Sequence, residues 1–454
     1  MAVQHRILTL KFVVIGLSQP VTRIVDVSAS LRMAELHGLI LPLFAWEDSA
    51  SHRFIDHPID GPRFGDDEYA GYARSATRRR VWEMEHWCRD ADGHVSECEW
   101  TSTVGAAFDS LPFGSSAVLY YEYGSTQCPE WRYGEPCLAR QLDIADGRHR
   151  HGWTIAISVD AVRSARRAEP AALLRGTGRA PLVEAGGPAA YEEMLGVLTD
   201  PMHAKRPELC SWIEDRIGVW ATSQPLARAD FDVEATRVLI ASTRRGASDH
   251  RDPSPFRALL ARTERWHPAH RIELLSAAQR AGVASGGLPD RSQAAAFTSA
   301  VAARLAALSS TRTESAPIAA ESALVTSDPL SASFDDVLRR LRFAYRRSGV
   351  LLRSRAGDEA LVDPRVLLDR YAARYWALPS DTDLAIAIAL AVAEGLPDDE
   401  LPARVEHVAG LRPGSIDRAD IDPSVRYLAT CGGASRQPLE GRDRAALARL
   451  VLRW

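Results

Sequence analysis

The pattern of apolar and polar positions changes character part-way along the chain. Before Ala180 the apolar residues fall in short β-branched and aromatic runs: Ile7 to Leu17 and Val21 to Val27, separated by Ser18-Gln19-Pro20, read as neighbouring strands. Leu36, Ile40 and Leu43 then recur at helical spacing, with Ser28 or Ser30 available as an amino-terminal cap and Pro42 placed to kink or end the helix. From Arg80 to Thr103 two alternating runs, RVWEMEHWC and HVSECEWTS, flank Asp90-Ala91-Asp92-Gly93 and predict a β-hairpin. Ala117 to Tyr123 and Trp153 to Val159 predict two further strands. Between them lies a long irregular segment holding Cys128, Cys137 and the Arg148-His149-Arg150-His151 cluster, either an anion-holding loop or a solvated one.

The pivot is Ala180 to His203. Gly186 and Gly187 permit backbone angles closed to other residues, Pro188 pre-sets a first helical turn, and Leu195 and Leu198 share one side of the helix that follows. Helices are expected at Ala190 to Thr199 and near Pro207 to Arg216, with a final segment at Phe231 to Ser242. Beyond the polar, proline-bearing stretch Ser242 to Pro255 the pattern turns helical, interrupted at Gly286-Gly287 and by prolines at 364, 379, 397 and 413. Ser309 to Ser333, rich in Ser, Thr, Ala and Pro, reads as a linker. The expected fold class is α+β: an N-terminal mixed, mainly antiparallel sheet with packed helices, followed by a mostly α-helical C-terminal region. The expected division is an α+β domain over 1–245, a helical segment over 256–308, the linker over 309–333 and a helical domain over 334–454.

Composition narrows the setting without naming a function. With 454 residues, 46% hydrophobic and 25% charged, the chain is an ordinary globular protein, and a net charge of −4 supplies no global field toward nucleic acid or anionic membrane. The longest apolar run, Leu384 to Ala393, is about half of the roughly 20 residues that cross a bilayer, so it predicts a buried helix. The amino terminus lacks the features of a secretory signal, and six scattered cysteines in so long a chain do not suggest a disulfide framework; a cytoplasmic setting without membrane contact is expected.

Two local clusters carry candidate chemistry. In the predicted hairpin His86, Cys88 and Cys98, with His94 nearby, offer imidazole and thiolate ligands suited to zinc, against packed thiols and an edge histidine as the alternative. In SFDDVLRRLRFAYRRSG, Ser333 can cap a helix whose Leu338, Leu341 and Tyr345 form an apolar stripe. Arg339, Arg342 and Arg346 would line another face, with Arg340 and Arg347 beside it. Such a row could neutralise phosphates of a nucleic acid, or be a solvated face paired with carboxylates.

Four stretches together resemble the plasmid Ri open-reading-frame-three-like family, whose members include insertion-element passenger proteins with a resolvase-like name. Leu8 to Ile24 is similar to the family's opening strand pair, keeping Pro20 and Arg23. Leu36, His37, Ile40, Phe44, Trp46 and Asp48 fit a leucine-histidine helix that ends in glycine-tryptophan, with Ala45 in the place of the glycine. His52 and Phe54 remain from a histidine-rich strand, and Tyr121 to Ser125 stand where a tyrosine-aspartate-phenylalanine-glycine-aspartate run is usual. Ala180 to Pro188 retains Gly186, Gly187 and Pro188 of a cysteine-bracketed motif; Glu184 replaces an aspartate, Val183 a glutamate, and Tyr191 fits the tyrosine that follows. The resemblance implies a polar site built from histidines and carboxylates, but no established reaction, and most of those groups are absent here.

Three functional readings follow. The first is a non-catalytic binding or scaffold protein, with His37, His52, Glu122 and Glu184 as the residual ligand-binding candidates and the C-terminal helices engaging a protein partner. The second is a mobile-element-associated protein that binds nucleic acid through the arginines between 339 and 347. The third is a metal-dependent hydrolase or nuclease using His37, His52 and Glu184. No nucleophile elbow, phosphate loop or dinucleotide fingerprint supports the third.

Overall fold

A computed structural model describes residues 5–56, 80–83, 95–111, 118–124, 152–166, 171–218, 220–223, 231–245, 255–283, 302–303, 305–308, 338–339, 341–347, 350–376, 381–430 and 441–453. The chain divides into two compact units, Met1–Ala247 with Trp266–Glu273, and Ser248–Arg265 with Leu274–Trp454.

The first unit is built on an eight-stranded sheet of β1 (His5–Val14), β2 (Thr22–Ser28), β3 (His52–Ile55), β4 (Arg80–Glu83), β5 (Val95–Cys98), β6 (Val118–Tyr123), β7 (Trp153–Ala165) and β8 (Ala172–Thr177), in the order β5-β4-β3-β6-β7-β1-β2-β8. Every pairing is antiparallel except β4 with β5. The period-two alternation of β1 sends Leu8, Leu10, Phe12 and Val14 into the core and leaves Lys11 exposed. Against this inner face lies α1 (Met33–Phe44), burying Leu36, Leu39, Ile40 and Leu43. Each such side chain contributes about 1.5–3 kcal/mol through burial.

Two helix ends depart from expectation. The start of α1 is closed by Glu35, whose carboxylate accepts from the Arg32 backbone N–H at 2.8 Å, while Ser28 and Ser30 hydrogen-bond each other at 2.8 Å. Its other end is a left-handed turn at Ala45 (φ 55°), closed by Trp46 N–H donating to the Leu41 carbonyl at 2.9 Å. That is the position at which the resembled family has glycine.

The pivot forms as expected. Gly186 (φ 78°) and Gly187 (φ 148°) occupy angles that a Cβ disfavours, and Pro188 begins α2 (Pro188–Thr199). Gly152 N–H donates to the Gly186 carbonyl at 2.7 Å, fixing the corner to the start of β7. The segments α3 (Arg206–Arg216) and α4 (Val233–Arg245) follow, and Ile213 and Ile240 join the same core.

Arg23 sits on the inner face of β2, fully buried. Its guanidinium donates to the carbonyls of Leu43, Thr22, Thr177 and Gly178 and lies 3.5 Å from the centroid of the Phe231 ring. Desolvation lowers its pKa from the model-compound range to about 9. A Cβ at Gly176 would meet the Phe231 ring at 2.5 Å, so that glycine makes room for the ring on which Arg23 stacks.

The predicted hairpin at Arg80 to Thr103 is not formed. β4 and β5 run parallel, with Arg80 opposite Val95 and Glu83 opposite Cys98, a geometry no tight turn can connect. Trp82 Nε1–H donates to Glu97 Oε2 at 3.0 Å across this pair, so a cross-strand polar contact helps set the register. Residues 84–94, including His86, Cys88, His94 and the expected turn, lie outside the described residues, as do Cys128, Cys137, the Arg148–His151 cluster and the linker over 309–333.

The second unit is mostly helical. Its Thr382–Ala393 helix is buried from Ala385 to Ala393, and the Tyr375 hydroxyl donates to the Ala385 carbonyl at 2.8 Å. No helix among the described residues is long and apolar enough to cross a membrane. The helix expected over SFDDVLRRLRFAYRRSG ends early: Arg342 takes φ 60°, Arg342 N–H donates to the Arg339 carbonyl at 3.0 Å and Phe343 N–H to the Leu338 carbonyl at 2.9 Å. This left-handed closure brings buried Leu338 and Phe343 to the same helix end, and the chain continues as β9 (Ala344–Arg347), paired antiparallel with β10 (Val350–Arg353). Burial of Phe343 thus overrides the local helical pattern.

Candidate functional site

Alternation in β3 and β6 decides which candidates can meet. His52 stands opposite Tyr123 and Phe54 opposite Tyr121 on the inner face, whereas Arg53 stands opposite Glu122 on the other. His37, in the first half of α1, lies over this face. The imidazoles of His37 and His52 stack with 3.4 Å between centroids and 3° between planes.

Each ring has a carboxylate partner. His37 Nε2 lies 3.2 Å from Asp48 Oδ1, and His52 Nε2 lies 3.0 Å from Glu99 Oε2. His37 Nδ1 is also 2.9 Å from the Tyr121 hydroxyl. The hydrogen bond from His37 is the largest cause holding the Asp48 carboxyl below its ordinary pKa, with help from the positive fields of both histidines. With Asp48 ionised, Nε2 carries the His37 proton, and in the neutral ring Nδ1 accepts from Tyr121. Burial keeps the Tyr121 phenol well above its ordinary pKa, so that hydroxyl remains a donor.

The cluster is closed at one end and open at the other. The side chains of His52 and Glu99 are 4% and 2% exposed, His37 is 9% exposed, and Asp48 is 69% exposed. Around the open end Tyr123 pins the Asp48 loop: its hydroxyl accepts from the backbone N–H groups of Ser49 and Ala50 at 2.9 and 3.1 Å and donates to the Glu47 carbonyl. Trp46 stacks on Tyr123 with 5.4 Å between centroids, and its Nε1–H donates to the Pro181 carbonyl at 2.9 Å. The segment leading into the Gly-Gly-Pro corner, through Pro181, therefore supports the loop that presents Asp48.

The other two candidates belong to separate networks. Glu122 pairs with Arg53 at 2.7 Å on the outer face of the sheet, and Glu184 Oε1 lies 3.1 Å from His267 Nε2. His37 and His52 are brought together; Glu122 and Glu184 do not join them. Glu99, Tyr121 and Asp48 are the partners that residue-type reasoning passed over. Tyr121 and His52 could have been linked by registering β3 on β6, but Glu99 follows a strand whose partner direction alternation does not encode.

The stacked rings set a limit on metal chemistry. A ligating nitrogen directs its lone pair in the ring plane, and a zinc ion sits about 2.0–2.1 Å away, so rings in parallel planes 3.4 Å apart do not converge on one ion. Among the described residues no group of three or more His, Cys, Asp and Glu is arranged to hold a metal. Of the hairpin set only Cys98 is described, as a half-buried free thiol.

The arginine candidates lie in the second unit. Arg339 belongs to the short helical turn, Arg342 is its left-handed terminal residue, Arg346 and Arg347 end β9, and Arg340 lies outside the described residues. They do not form one helical row, because the helix stops before the last two.

Comparison with known proteins gives a family for part of this architecture. Residues 149–235 match the family described as plasmid pRiA4b ORF-3-like protein, so the chain carries a divergent region of that kind, running from before β7 into α4 and including the Gly-Gly-Pro corner. No curated protein matches. Among solved structures, the chain is similar to a protein of unknown function from Methanosarcina mazei Go1, at 17% identity and a TM-score of 0.33, over 51% of this chain and 97% of that one.

Proposed function

From a chain that carries a plasmid pRiA4b ORF-3-like region, we propose a non-catalytic binding and scaffold protein, in which the first unit is a rigid platform and the helical second unit carries the partner-binding surface. One observation carries the reading: three of the four ring nitrogens of the stacked histidines lie within hydrogen-bonding distance of protein groups. His52 is held by Glu99, and His37 by Asp48 and Tyr121. A general base needs a lone pair within reach of a substrate proton, and here both nitrogens of His37 and Nε2 of His52 already face protein partners. The geometry favours locking α1 and the Asp48 loop onto the sheet.

The competing reading, a metal-dependent hydrolase or nuclease, has less support, because His37 and His52 stack in parallel and Glu184 is paired with His267. The test is a panel of carboxylic esters, phosphate esters and nucleic acid, incubated with the full chain in the presence of zinc, manganese or magnesium. The proposal expects no turnover above that of a His37→Ala, His52→Ala double variant. Turnover that disappears in the double variant while its circular dichroism spectrum and thermal unfolding transition show it still folded at the assay temperature would establish the hydrolase instead.

A further inference from the structure

The β9–β10 hairpin concentrates positive charge, part of which no described acidic residue pairs. From Leu338 to Arg355 the sequence LRRLRFAYRRSGVLLRSR has arginine at 339, 340, 342, 346, 347, 353 and 355 and no acidic residue. Arg353 is held by Asp358 and Arg355 by Glu359. Arg342, Arg346 and Arg347 are exposed, and their guanidinium groups make no ion pair with a described residue.

The remainder of the hairpin is held firmly. Phe343 is fully buried, its carbonyl accepts from Ser354 N–H at 2.8 Å, and the Ser354 hydroxyl donates to the Arg342 carbonyl at 2.8 Å. A Cβ on Gly357 would come within 2.5 Å of the Phe343 carbonyl oxygen, so a glycine is needed where the next helix, Arg355–Val362, packs on the hairpin base. Arg346 and Arg347 are thus at the far end of an anchored ribbon, paired with Leu351 and Val350. Tyr345 and Val350 are exposed beside them.

We propose that this hairpin binds the phosphate backbone of double-stranded DNA. The proposal deepens the reading of the second unit as a partner-binding region by naming the partner's class. A two-stranded antiparallel ribbon has the cross-section that a duplex major groove admits, and guanidinium groups pair with phosphate oxygens in bidentate fashion. An acidic protein surface is the less suited partner, because the exposed large apolar side chains beside these arginines among the described residues are Tyr345 and Val350, little area to form an interface core. With a net charge of −4 over the whole chain, no global field adds to the local field of the hairpin.

The test uses the full chain and a fluorescent 25-base-pair DNA duplex of mixed sequence, read by anisotropy across a salt series. Binding is expected at low salt and to weaken steeply as salt rises. Three phosphate contacts alone give a log–log slope of about −2.7, a loss of about 40-fold between 50 and 200 mM salt. The triple variant Arg342→Gln, Arg346→Gln, Arg347→Gln is expected to keep the wild-type thermal midpoint and to lose binding by at least tenfold, whereas Arg346→Lys with Arg347→Lys retains most of it. No duplex binding at 50 mM salt, binding unchanged in the triple variant, or capture by phosphatidylserine vesicles in preference to the duplex would each overturn the proposal. These outcomes leave the non-catalytic reading of the first unit untouched, since that reading fails on histidine-dependent turnover alone.

Discussion

His37 and His52 lie ring on ring, 3.4 Å apart and within 3° of parallel, one carried by a helix and the other by a strand. The stack joins two imidazole–carboxylate pairs into one network that ties α1 to the sheet. The carboxylate at its inner end, Glu99, is almost wholly buried, and the one at its outer end, Asp48, faces solvent.

Removing the inner imidazole leaves a buried carboxylate without its partner. Leaving a buried acceptor unsatisfied costs about 1–3 kcal/mol, so His52→Ala is expected to lower the unfolding free energy in urea by at least that amount once the lost packing is added. A double variant His52→Phe, Glu99→Leu, which removes both polar groups, should recover part of the loss. Equal stability of His52→Ala and wild type would show that the pair does not hold the fold.

The outer carboxylate gives a pH-dependent contribution of known sign. Asp48 has a folded-state pKa below its ordinary 3.8, so its stabilising effect is present above that value and is lost as pH falls through the depressed one. Asp48→Asn is expected to be less stable than wild type at pH 7, by under about 1 kcal/mol because the carboxylate is mostly exposed. The two proteins should converge as the pH drops below the ordinary carboxylate range. A gap that widened on acidification would contradict the assignment.

Ala45 carries backbone strain that glycine would relieve. Its φ of 55° lies in the left-handed region, where a Cβ costs about 1–2 kcal/mol. Ala45→Gly is expected to raise the thermal midpoint, with a gain of up to about 1 kcal/mol after the larger unfolded-state entropy of glycine is counted. A fall in the midpoint would show that the buried methyl group matters more than the backbone angle.

Gly176 tests the Arg23 stack. Gly176→Ala would drive a methyl group into the Phe231 ring and the Thr22 carbonyl, at 2.5 and 2.8 Å. Overpacking of this kind costs about 1–3 kcal/mol, read as a lower denaturation midpoint. Gly186→Ala meets no atom within 4 Å, so its cost, about 1 kcal/mol, comes from the φ of 78° alone.

Much of the first unit was legible because its signals are local. β-branched alternation marks β1, β2, β6 and β7, helical spacing marks α1, and Gly-Gly-Pro marks the corner. What alternation cannot state is the direction of a partner strand, and β4 and β5 proved parallel. The Arg-rich stretch reads as a helix because leucines at 338 and 341 and Tyr345 fit that period. The buried Phe343 and the Ser348-Gly349 pair, a two-residue hairpin signal between arginines, point to the observed ribbon instead. In the site, His37 and His52 stood out by residue type, while Glu122 was separated from them by the sheet pleat, which its place next to Tyr121 already implies. Glu99 required the tertiary fold, since the turn after β5 carries it beneath His52.

The central claim is that both ring nitrogens of His37 and Nε2 of His52 are occupied by protein groups. Side-chain nitrogen NMR of the full chain at neutral pH, before and after one equivalent of zinc, reads those nitrogens directly. The account predicts a proton on Nε2 of both His37 and His52, an accepting Nδ1 on His37, and no change in either ring on adding the metal. Loss of the Nε2 proton from both rings on forming a one-to-one zinc complex would contradict it.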